Sequence, residues 1–200
     1  MSGIDVQPEM IAYVKEQARV SQVTAHAMVD DLRDLTTIRG PYDLAFCFMD
    51  TFRFLLTNEE ILAHLRAVAE RLVPGGLYIV DFWIPRQWDQ AGNEIYQWEQ
   101  AEGDTTVRVF YVQHPESIDP IAQTFEDELI FEVHEAGGVT ELRGGPTRTR
   151  LILPQEFRLL VERSGVFELL ATHGTFDLTV PLSPESLSWR MISVLRRLPA

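Results

Sequence analysis

The apolar positions recur at helical spacing through the first part of the chain and by alternation after residue 94, which predicts two kinds of architecture. Gly3 to Val6 is a short apolar piece carrying an acid, Asp5. Pro8 and Glu9 then open a helix on which Met10, Ile11, Val14 and Ala18 recur, with proline suited to the first turn. Val23 to Val29 alternates loosely and reads as a strand, followed by a polar turn from Asp30 to Thr37. Tyr42 to Met49 is almost continuously apolar, the pattern of a strand buried on both faces of a parallel sheet. Thr57 and Glu60 form a capping box for a helix whose apolar face is Ile61, Leu62, Leu65, Val68, Ala69 and Leu72. His64 falls on the polar side of that helix and reads as solvated. Pro74-Gly75-Gly76 is expected to stop the helix, and Leu77 to Trp83 is the next buried strand.

Past Trp83 the helical period disappears. Residues 94 to 153 hold alternating runs separated by turns at Gly103-Asp104, Pro120 and Gly137-Gly138, the pattern of an antiparallel insertion with a solvated polar face. A helix from Pro154 to Ser164 ends at Gly165, and strands are expected over Phe167 to Asp177 and Ser188 to Arg197. The order predicts an α/β fold with a Rossmann-like, doubly wound sheet and helices on both faces. With no repeat or linker, residues 1–200 read as one domain with a β insertion at 94–153 before the last helix.

Charge and composition remove some functions. A formal net charge of -13 repels phosphate backbones and argues against a nucleic-acid partner. No apolar run is long enough to cross a bilayer and no leader opens the sequence, so the expectation is a cytoplasmic protein without membrane attachment. Cys47 is the only cysteine, which excludes an internal disulfide and a cysteine metal site, and it reads as a small buried apolar residue. The histidines are scattered without ligand spacing, and no metal is assigned. Self-association into a homo-oligomer is left open.

Asp5 is the first residue to carry chemistry. A carboxylate at a strand's end can accept both hydroxyls of a ribose, or it can cap the helix that follows. It does not stand alone. GIDVQPEM at 3–10, DDLRDL at 30–35, YDLAFCFMDTFRFL at 42–55 and LRAVAERLVPGGLYIVDF at 65–82 follow in order at domain spacing. Together they resemble the middle and later motifs of class I S-adenosylmethionine-dependent methyltransferases, including enzymes that act on glycine or amino sugars. The resemblance is close over residues 3–85 and looser over 154–197.

It implies S-adenosylmethionine as cofactor and a small-molecule methyl acceptor, on nitrogen or oxygen. Asp5 would hold the ribose, with Val6 against the adenine and Met10 facing the same pocket. Asp31 would lie near the adenine amino group, with Leu32 supplying a backbone N–H and an apolar wall. Phe48 and Met49 match positions that touch the methionine portion, although core packing explains those residue types equally. Asp50, Thr51 and Arg53 are the candidates for the acceptor side. Asp50 could orient or deprotonate an amine, or cap a turn. Arg53 replaces a small or polar residue of similar enzymes and either pairs with an acceptor carboxylate or is solvated. Trp83, Trp88, Tyr96 and Trp98 could wall the acceptor pocket or form core.

One part of the pattern is missing. Related enzymes carry, before the GIDV segment, a central strand, a Gly-x-Gly loop and a helix; here only Met1 and Ser2 precede it. The pairs Gly75-Gly76, Gly137-Gly138 and Gly144-Gly145 lie elsewhere and cannot substitute. The expectation is an N-terminally truncated methyltransferase with impaired activity. The alternative is a non-catalytic pseudoenzyme or interaction module that keeps the fold. A dinucleotide oxidoreductase, suggested only by Asp5, is disfavoured because the strand order, the insertion and the final strand resemble methyltransferases more.

Overall fold

In the computed structural model residues 1–84, 96–184, 188 and 190–199 are described. The chain divides into two units, Met1–Trp83 with Leu153–Ala200, and Ile84–Ile152.

In the first unit each helix starts where the sequence offers a suitable terminus. Strand β1 (Ser2–Asp5) leads into helix α1 (Pro8–Val20), which has proline in its first turn. β2 (His26–Val29) follows, parallel to β1, and then β3 (Tyr42–Cys47). Helix α2 (Asn58–Arg71) carries the complete capping box: the Glu60 N–H donates to Thr57 Oγ1, and Glu60 accepts from the Thr57 N–H. β4 (Leu72–Trp83) runs parallel to β3. After the insertion come helix α3 (Pro154–Ser164), ended by Gly165 in the left-handed region, and the strands β10 (Phe167–His173) and β11 (Arg190–Arg197). β11 lies antiparallel between β10 and β4, giving the order β10-β11-β4-β3, while β1 and β2 pair only with each other.

The core is aromatic. Phe52, Phe82 and Phe157 are fully buried, with ring centroids 5.3–6.0 Å apart. Cys47 is buried as expected, and burial pushes its thiol up to about 12, so it stays protonated and unreactive at neutral pH.

Three expectations need correction. The strand over Tyr42 to Met49 ends at Cys47, because Met49 and the following residue take positive φ and leave the pleat. Pro74-Gly75-Gly76 does not stop the helix. α2 ends at Arg71, and the glycines form a bulge in β4, where the register jumps from Tyr42↔Leu72 to Leu44↔Leu77. His64 is buried. It lies three residues past Ile61 and four before Val68, so it shares their stripe. Its Nδ1–H donates to the Leu32 carbonyl at 2.8 Å, and its Nε2 then accepts from the Tyr78 hydroxyl at 2.7 Å.

That burial has a pH consequence. Desolvation lowers the His64 pKa to about 4, against the opposing pull of the Leu32 bond. The unfolded chain protonates near 6.5, so the neutral ring contributes fully above that pH and its contribution is lost as pH falls toward 4. The full effect is about 3 kcal/mol. Urea midpoints at pH 7 and pH 4.5 should therefore differ less for His64→Gln than for the native chain; equal differences would contradict the assignment.

The second unit is an antiparallel sheet of β5 (Tyr96–Glu102), β6 (Thr105–Asp119), β7 (Thr124–Glu135) and β8 (Gly138–Arg143), with β9 (Thr147–Arg150) also on β7. One face buries Val109 and Phe125, and there the hydroxyls of Tyr111 and Thr149 both donate to Asp127. Ion pairs Arg108–Glu99, at 2.8 Å, and Arg148–Glu126, at 2.9 Å, join neighbouring strands on the other face. Trp88 and the start of the expected insertion at Glu94 lie outside the described residues.

Among the described residues no helix is long and apolar enough to cross a membrane, and no cluster of His, Cys, Asp and Glu could hold a metal ion.

Candidate functional site

The turn after β3 is built on two consecutive left-handed residues. Met49 has φ 57° and Asp50 φ 65°. Aspartate tolerates this region, but methionine does not favour it, so surrounding bonds must hold the turn. Those bonds come from β4 and β11. The Met49 N–H donates to Asp81 Oδ2 at 2.9 Å, and the Trp83 N–H donates to Asp50 Oδ1 at 2.5 Å. Arg190 forks onto Asp81, with Nε 2.5 Å from Oδ1 and Nη2 2.7 Å from Oδ2. Its Nη2 also lies 3.3 Å from Asp50 Oδ2. Burial opposes the Arg190 charge, but the bonds and charges of Asp81 and Asp50 outweigh it and hold the pKa above its ordinary value.

Arg53 completes the cluster, 3.7 Å from Asp50 Oδ1 and with its guanidinium 5.6 Å from the Trp83 ring centroid. Two acids and two arginines thus meet at the ends of β3 and β4 with no net charge. Arg53 is 1% exposed, which corrects the solvated reading, and it pairs with Asp50. Asp50 keeps 30% of its side chain exposed. This carboxylate is held by the Trp83 N–H and flanked by two arginines, a placement suited to orienting or countering a charged group. Thr51 and Met49 are exposed beside it, and Phe48 stacks on Phe46 with centroids 5.0 Å apart. Trp83 belongs to this cluster; Trp98, in the second unit, is exposed, and the Tyr96 side chain lies outside the described atoms.

The other candidates collect at the ends of β1 and β2. The register Asp5↔Val29 puts Asp5 beside the Asp30–Asp31 turn, and the Asp30 N–H donates to the Asp5 carbonyl at 3.1 Å. Asp5 Oδ1 accepts the Gln7 N–H at 2.8 Å in a tight local turn ahead of α1, while Oδ2 has no partner among the described residues. Val6, just before α1, and Met10, in its first turn, are both exposed. Asp31 is less open: its Oδ1 accepts the Arg33 N–H and its Oδ2 pairs with the Arg33 guanidinium at 2.9 Å. Leu32 is tied from behind through its carbonyl to His64.

Comparison with known proteins bears on the fold. A methyltransferase-domain family profile matches residues 1–76. A Bacillus subtilis (strain 168) protein named as a methyltransferase, YqeM, is 25% identical over 150 residues, which is 68% of this chain and 60% of that protein. An S-adenosylmethionine-dependent methyltransferase structure from Clostridium acetobutylicum superposes with TM-score 0.80 at 14% identity, covering 99% of this chain and 75% of its own. The S-adenosylmethionine-bound amino pentose methyltransferase CalS10 from Micromonospora echinaspora gives TM-score 0.69 at 19% identity, covering 98% and 73%. Residues 1–76 thus match a methyltransferase domain, and the chain shares the fold of S-adenosylmethionine-dependent methyltransferases.

Among the described residues, the strands of the first unit form two separate sheets. β1 pairs only with β2, and β3 only with β4. On β3, Leu44 is 51% and Phe46 56% exposed, although the run they belong to has the composition of a fully buried strand.

Sequence reasoning missed Asp81 and Arg190. Both were visible as single charges inside otherwise apolar strands, LYIVDFW and RMISVL, and opposite charges so placed are the signal of a buried pair.

Proposed function

We propose that this chain carries the adenosine side and the acceptor side of a site for S-adenosylmethionine-dependent methyl transfer to a small molecule, through nitrogen or oxygen. In the enzymes the sequence resembles, a central strand and a glycine-rich loop contribute to the same site. The observation that carries this reading is the pair of unpaired edges on β1 and β3, flanked by Asp5 with an open carboxylate oxygen.

When bound, S-adenosylmethionine supplies a carbon already activated by its sulfonium, so the protein's work is orientation and exclusion of water. Asp5 fits the ribose hydroxyls, because one oxygen is set by Gln7 and the other is open. Val6 and Met10 offer apolar walls, and Leu32 an N–H for a ring nitrogen. Asp31 would share its carboxylate between Arg33 and the adenine amine. Phe48 and Met49 would line the methionine side. Asp50 and Thr51 would orient the acceptor, with Asp50 countering the charge of an amine. An amine acceptor is favoured by the amino pentose enzyme among the structural relatives. The neutral balance of the Asp50–Asp81–Arg53–Arg190 cluster gives no reason for an anionic one.

A second reading is a non-catalytic module that keeps the fold. It is supported by the same unpaired edges, if nothing fills them.

Transfer of a radiolabelled methyl group to a panel of small amines and alcohols separates the two. The chain extended with a strand, Gly-x-Gly loop and helix of the family pattern is expected to label at least one amine. The chain alone is expected to label none. Absence of transfer and of cofactor binding in the extended protein would leave the non-catalytic reading.

A further inference from the structure

From the strained turn and the bonds that reach it, we infer that Arg190 is a positioning residue: through Asp81 and Asp50 it locks the Phe48–Thr51 turn into the one backbone shape that presents its side chains to the reactants. The functional part of this inference rests on the methyltransferase reading, which gives that turn its role. The mechanical part does not.

The turn cannot hold itself. Two successive left-handed non-glycine residues are unfavourable, and inside the turn the stabilising backbone bonds are Thr51 N–H to the Phe48 carbonyl, long at 3.4 Å, and Arg53 N–H to the Asp50 carbonyl, at 2.9 Å. The remaining restraint comes from two carboxylates. Asp81 is fully buried and captures the Met49 N–H; Asp50 reaches the other way and captures the Trp83 N–H. Each carboxylate has several rotamers, and only a partner that grips both fixes them together. Arg190 is that partner. It meets both oxygens of Asp81 in a fork and Asp50 with the same Nη2, so the two acids are oriented by one planar group. The ring of Phe176, 5.6 Å from the guanidinium, covers it on another side and itself meets Phe48 edge-on at 6.4 Å. Arg190 therefore touches the turn twice, through the acids and through Phe176. It lies 109 and 140 residues from Asp81 and Asp50 in sequence, so the last strand, β11, sets the geometry after β3. Lysine keeps the charge but cannot fork, and methionine keeps neither.

Amide hydrogen exchange on the whole 200-residue chain, read by NMR, tests this with no cofactor or acceptor present. In Arg190→Met the amides of Met49 and Trp83 are expected to exchange about tenfold faster or more. Those of Val80 and Leu195, in the strands beneath, should stay within about twofold of their native rates. Arg190→Lys should fall between, and it decides the matter alone if Arg190→Met does not fold. Native rates at Met49 and Trp83 in every folded variant would overturn the inference, as would an equal rise at all four amides, which marks general destabilisation. A loosened turn in a protein whose extended form transfers no methyl group would sink the methyltransferase reading and leave the clamp standing; an intact turn with active transfer would do the reverse.

Discussion

Asp81→Ala is expected to lower folding stability by about 3–5 kcal/mol, the range for breaking a buried ion pair from one side. The side chain is fully buried, and its removal strands two groups, Arg190 and the Met49 N–H that holds the turn. Arg190 loses both forked bonds, the Met49 N–H loses its acceptor, and the left-handed turn loses the bond that holds it. Most of the cost comes from Arg190, a buried charge left beside Asp50 at 3.3 Å without its forked partner. The double variant Asp81→Leu/Arg190→Met removes both charges and is expected to recover a large part of the loss, because an apolar pair can replace a buried ion pair at little cost. Urea unfolding of the native chain, the single variant and the double variant measures both effects. A single variant less than about 1 kcal/mol below native would contradict the role given to the pair.

In the protein extended by a strand, glycine loop and helix, Asp5→Ala is expected to weaken S-adenosylmethionine binding about a hundredfold, while leaving stability nearly unchanged. Asp5 is the one acid at these strand ends with an oxygen open to a ligand, and two charge-assisted bonds to ribose hydroxyls are worth about 3 kcal/mol together. Its internal bond, to Gln7 N–H, is exposed and contributes little. Asp31→Ala should have a smaller effect, since that carboxylate already serves Arg33. Titration calorimetry on both variants reads the order; a larger loss at Asp31 would mean that the adenine edge, not the ribose, anchors the cofactor.

Most of the fold was legible because its signals are local. The capping box at Thr57 and Glu60, Pro8 and Pro154 in first turns, and Gly165 after α3 each mark a helix end through a bond or a φ value that few residues satisfy. The alternation after residue 94 carried the antiparallel strands in the same way. What escaped was decided by tertiary contact. His64 looks like a surface histidine until Leu32 and Tyr78 are seen to supply both partners its ring needs. Arg53 looks solvated until Asp50 and Trp83 enclose it. The ion pair of Asp81 and Arg190 joins residues 109 positions apart, and only the register of β11 on β4 brings them together. At the candidate site the residue types were readable and the wiring between them was not.

The central claim is that this chain holds one half of a methyltransferase cofactor site and that the gap between β1 and β3 is where the other half belongs. Calorimetric titration with S-adenosylmethionine, run in parallel on the 200-residue chain and on the extended protein, tests it most directly. The account predicts weak or no binding by the chain alone and a dissociation constant of about micromolar order for the extended protein, a gain of at least about a hundredfold. Micromolar binding by the chain alone, or none by the extended protein, would contradict it.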